Sequence, residues 1–231
     1  YLPPYDPRQV LDPANPISIG AMVGPEAFME VRYLAHAKQR QALELMPSWS
    51  AEFKRIFGRE SGGLTHTYRI EDADTVVVAL GSVLGTIKDT VDEMREQGVR
   101  IGVLGITCFR PWPTAAVRGA LAAAKRVVVL EKSLAVGLGG IVSNNVAASY
   151  SGSPELVHTV IAGLGGRAIT RKSLHKVFSE AVEGRLEPVT FLDLDHAMVE
   201  RVLARERELR HSGPIAENIL RELGVVAAKV G

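Results

Sequence analysis

The chain has 231 residues, 46% of them hydrophobic, with 27 Lys and Arg against 26 Asp and Glu. That length and apolar content support a sizeable core, and the near-neutral balance removes any electrostatic case for nucleic acid as a partner. The one cysteine, Cys108, excludes an internal disulfide or a thiolate cluster built from this chain alone and fits a reducing, cytoplasmic setting; no apolar run approaches the roughly 18 residues of a membrane span.

Residues 1–24 hold Pro3, Pro4, Pro7, Pro13 and Pro16 and read as an extended lead-in, because proline supports neither a helix interior nor a central strand. The opening Tyr1-Leu2-Pro3-Pro4 reads like mid-chain sequence, so an upstream part of the protein is expected. Gly24-Pro25 opens a helix that runs to about Met46, with Phe28, Val31, Ala35, Ala42 and Leu45 as its apolar stripe. Ser48 caps a second helix, which places Trp49, Phe53, Ile56 and Phe57 on one face and stops at Gly58. His66, between Thr65 and Thr67, falls in a loop that leads through Tyr68–Asp74 into the main domain.

From Asp74 the pattern becomes strand, turn, helix, repeated. Thr75–Leu80 is a buried strand by its β-branched run, Gly81-Ser82 turns, and Leu84–Gln97 is a helix with Ile87, Val91 and Met94 inward. Val99–Ile106 is the next strand, and Phe109-Arg110-Pro111-Trp112-Pro113 is a rigid loop. Thr114 caps a helix with Val117, Leu121 and Ala124 inward, and Arg126–Leu130 is a third strand. Glu131–Gly139 leads to a helix from Ile141 to about Ser149, followed by a strand at Leu156–Ile161 and a helix capped by Thr170, with Leu174, Val177, Phe178 and Ala181 inward. Strands alternating with helices imply parallel pairing and right-handed crossovers. The fold class is therefore α/β: a small, doubly wound, mostly parallel sheet of four or five strands, with a Pro-rich and helical N-terminal connector and a helical C-terminal extension. In that extension Glu187–Leu192 is a short extended piece, Asp195 caps a highly charged helix that ends at Gly213-Pro214, and Pro214–Leu223 forms a last helix.

The glycines invite a nucleotide-binding reading. Gly163-x-Gly165-x-x-Ala168 approaches a dinucleotide fingerprint, but it follows a late strand and its helix waits for Thr170, so a wide turn is the plainer reading. Gly137-Leu138-Gly139-Gly140 differs, because a helix starts at Ile141 and free amides at its N-terminus can hold an anion; close helix packing is the alternative. Gly81 and Ser82 occupy the first strand-to-helix turn of the repeating unit, where open sheets bind ligands, without a Walker lysine. Glu131 follows a strand end and is the best single polar candidate, with Arg110 in its proline-framed loop next. Cys108 reads as a small core residue, and the six histidines show no metal-ligand spacing.

Several motifs agree in order and spacing. LPPYDP, PEAFMEVRYLAHAKQ, VVVALGSVLGTIKDTVDEMREQGVRIGVLGITCFRPWP, EKSLAVGLGG and IAGLGGRAIT together resemble the α chain of 2-oxoacid:acceptor oxidoreductases, the family of pyruvate:ferredoxin oxidoreductase. The resemblance covers residues 1–182. It implies a share in oxidative decarboxylation of a 2-oxoacid with coenzyme A, giving acyl-CoA, carbon dioxide and two electrons. It also implies thiamine diphosphate, Mg²⁺, iron–sulfur clusters and coenzyme A in the complete complex, with none held wholly by this chain. Residues 1–68 would be the end of a pyrimidine-binding domain and its connector, 69–186 a domain like the C-terminal domain of transketolase, and 187–231 a charged helical extension. The implied partners are thiamine-diphosphate-binding, γ-type and ferredoxin-like subunits or domains, not nucleic acid or membrane. No catalytic or metal-binding residue is carried over; Asn144-Asn145 lacks the Gly-Asp-Gly that precedes the family's diphosphate-binding pair. Two other readings stand beside this one. The first is a stand-alone small-molecule or nucleotide-binding module that uses Gly81–Thr86. The second is an interaction module that docks through Asp195–His211.

Overall fold

The computed structural model describes residues 2–5, 11–16, 20, 22–208 and 215–225. Helix α1 (Phe28–Phe57) is followed by β1 (Thr65–Tyr68), β2 (Thr75–Ala79), α2 (Val83–Glu96), β3 (Ile101–Ile106), α3 (Thr114–Ala120) and β4 (Arg126–Glu131). Then come α4 (Ile141–Ser149), β5 (Val157–Ile161), α5 (Arg171–Val182), β6 (Val189–Phe191), α6 (His196–Glu208) and α7 (Ile215–Glu222). The six strands form one sheet in the order β1-β3-β2-β4-β5-β6. Only the β1–β3 pair is antiparallel.

The core is two apolar layers on the two faces of this sheet. Ile87, Val91, Leu174 and Phe178 of α2 and α5 pack on one face. Val117 and Leu121, from α3 and its C-cap, and Val142 and Val146 of α4 pack on the other. Strands covered on both faces have no solvent side, which is why β2, β3 and β4 read as continuous Val, Leu and Ile runs.

The sheet has six strands where the sequence pattern suggests four or five. The addition with no signal in the sequence is β1, which places His66 on an edge strand rather than in a loop. Its ring lies over Gly105 of β3, where any Cβ would collide with the imidazole. Burial, and secondarily the charge of Lys88, hold His66 below the usual histidine range.

The N-terminal helix also differs from expectation. It begins at Phe28, after a Gly24–Ala27 turn, and it does not break at Ser48. Pro47 sits inside it, and the Ser48 hydroxyl donates back to the Leu45 carbonyl (2.7 Å) instead of capping a new helix. No residue of α1 is buried, so water can satisfy the carbonyl that Pro47 leaves unpaired. Gly58 does end the helix, in the left-handed conformation, with its N–H on the Lys54 carbonyl. Thr114 is the first residue of α3 rather than its cap. The caps at Thr170 and Asp195 are as expected, accepting from Ser173 N–H (3.1 Å) and Met198 N–H (2.9 Å). The expected helix stop at Gly213-Pro214 lies outside the described residues. No described helix is long and apolar enough to cross a membrane.

Candidate functional site

The strand order creates one topological switch point. The chain leaves β2 towards β3 on one side and leaves β4 towards β5 on the other, so the connections diverge between β2 and β4. A crevice opens there beyond the carboxyl ends of the strands, the general location of ligand sites in open α/β sheets. It encloses about 470 Å³. Leu80 to Val83 form one wall, Leu130 to Ser133 the other, with Phe109 and Val142 between them.

Glu131 ends β4 and is buried, with 4% of its surface exposed. One carboxylate oxygen accepts from the backbone N–H of Ile141 (2.9 Å) and Val142 (2.8 Å) and from the Ser133 hydroxyl (2.7 Å). The other accepts from the Ser143 N–H (2.9 Å). These are the free amides at the start of α4, where a negative charge also meets the positive end of the helix dipole. The place that the sequence offered to an anion is therefore taken by the protein's own carboxylate. Gly140 makes this geometry possible, because a Cβ there would run into the Glu131 carboxylate and the Ser143 hydroxyl. Gly137 and Gly139 stand apart from the crevice. They turn a short hairpin closed by the Ala135–Gly139 bridge, whose tip leaves Val136 and Leu138 92% and 70% exposed.

The other candidates divide. Gly81, at φ +80°, turns the chain into α2, and Ser82 sits at its N-cap without a side-chain capping bond, so both face the crevice free of the role Glu131 plays at α4. Arg110 is exposed and its guanidinium lies 4.1 Å from the centre of the Phe109 ring, which lines the crevice. Trp112 meets Phe109 edge-on at 6.2 Å and donates its indole N–H to Ser149 (2.8 Å), which fixes that wall. The structure thus gathers Gly81, Ser82 and Glu131 around one cavity, while Arg110 is not in its lining and meets it only through Phe109. Lys132 and Phe109 complete it; the strand-end position of Glu131-Lys132-Ser133 was the signal that pointed there.

Gly163, Gly165 and Gly166 all have positive φ and form the wide turn, with α5 starting only at Arg171. The Cys108 thiol is buried beside the Pro111 carbonyl (3.1 Å), and burial pushes its pKa up. Among the described residues no three His, Cys, Asp or Glu side chains converge as a metal site would require.

Residues 73–174, most of the sheet and its helices, match the pyruvate:ferredoxin oxidoreductase core domain II. The chain is 36% identical over 208 residues to the pyruvate synthase subunit PorA of Methanosarcina barkeri, an overlap of 86% of this chain and 51% of that one. Residues 73–174 of this chain belong to the pyruvate:ferredoxin oxidoreductase family. It is also 32% identical over 180 residues to the ketoisovalerate oxidoreductase subunit VorA of Pyrococcus horikoshii, covering 77% of this chain and 46% of the relative. The chain spans about half the length of the curated family members it matches. Among solved structures it is similar to a 2-oxoglutarate:ferredoxin oxidoreductase from Magnetococcus marinus, with 20% identity, a TM-score of 0.43, and coverage of 57% of this chain and 21% of that one.

Proposed function

We propose that this chain is the supporting part of the α-type subunit of a 2-oxoacid:ferredoxin oxidoreductase, which turns a 2-oxoacid and coenzyme A into acyl-CoA, carbon dioxide and two electrons. The relatives named as pyruvate synthase and ketoisovalerate oxidoreductase subunits support the reaction class. The observation that carries the supporting role is the uncovered helix α1. Over 30 residues it presents Phe28, Met29, Leu34 and Trp49 at 55–76% exposure and buries nothing. A helix with this much bare apolar surface is built to be covered by other polypeptide.

Thiamine diphosphate, Mg²⁺, iron–sulfur clusters and coenzyme A enter this proposal as groups of the whole complex. The described residues do not fit the metal groups. They offer one cysteine thiol, held by the Pro111 carbonyl, and no converging carboxylates. The anion cradle at α4 is filled by Glu131. Thiamine-diphosphate-binding, γ-type and ferredoxin-like partners would supply what is missing, and the residues before β1 would belong to the end of a pyrimidine-binding domain and its connector, since Thr65–Tyr68 is a strand of the sheet.

The test is purification of the native chain with its companions, followed by coenzyme A-dependent viologen reduction with pyruvate and with 3-methyl-2-oxobutanoate. Cluster absorbance and turnover in the complex, absent from the isolated chain, are the expected result. A chain that purifies alone and shows no 2-oxoacid-dependent reduction with any companion overturns the proposal.

A further inference from the structure

We draw no further inference here: the strongest candidate, the apolar tip of the hairpin between β4 and α4 where Val136 and Leu138 stand exposed, carries nothing, because nothing in the structure shows what covers it.

Discussion

Two strand-to-helix turns at the same edge of the sheet reach opposite ends. Where β4 leads to α4, a glycine-rich loop brings three helix amides together, and Glu131 closes them from within. Where β2 leads to α2, Gly81-Ser82 makes a tighter turn and no side chain caps the helix. The local ingredients are alike: a buried strand, glycine, and a helix N-terminus. What separates the two is a single acidic residue at the end of one strand. β2 ends on the apolar Ala79, whereas β4 ends on Glu131. An anion-binding motif is therefore judged by what already faces it, not by its glycines.

The largest test of this contrast is Glu131→Ala. It strips three α4 amides, two of them buried, and the Ser133 hydroxyl of their acceptor, and should cost about 3–5 kcal/mol in urea unfolding. Gly140→Ala should cost about 2–3 kcal/mol by overpacking, since its φ of −81° suits any residue and only the clash with Glu131 and Ser143 opposes a methyl group. Gly81→Ala sharpens the comparison by reversing the cause. Nothing lies within 4 Å of the added Cβ, but φ is +80°, so the cost should be about 1 kcal/mol and purely conformational. The double variant Glu131→Ala/Gly140→Ala should be less destabilised than the sum of the two singles, because the carboxylate's share of the clash disappears and only the Ser143 hydroxyl still opposes the methyl group.

The smallest effect concerns the other close glycine contact, His66 over Gly105. Burial and Lys88 keep the folded imidazole below the usual histidine value of about 6.5, so the unfolded chain binds the proton more readily. Stability should be full above that value and decline as pH falls below it towards the lower folded value. His66→Asn should flatten this slope, read from unfolding midpoints across that pH range.

The parallel body was legible because burial on both faces writes itself as β-branched runs, and α2, α3 and α5 each carried an inward stripe. The edge strand β1 was hidden because Thr65-His66-Thr67-Tyr68 is short, polar and half-covered, and its close approach depends on Gly105 of β3 leaving room for the His66 ring. Pro47 and Ser48 signalled a break that an exposed helix did not need. At the site, Glu131 and the GLGG loop were each visible as candidates, while their pairing was not. Eight residues lie between Glu131 and Gly140, and only the completed β4–α4 connection brings the carboxylate to the amides.

The hairpin that carries Val136 and Leu138 is fastened at its feet and exposed at its tip. Extra residues spliced between those two side chains would lengthen a projecting finger without disturbing the Ala135–Gly139 closure or the capped helix below it. That makes position 137 a natural attachment point for a fluorophore or an affinity handle, one that reports on whatever approaches this edge of the sheet while the fold beneath stays as it is.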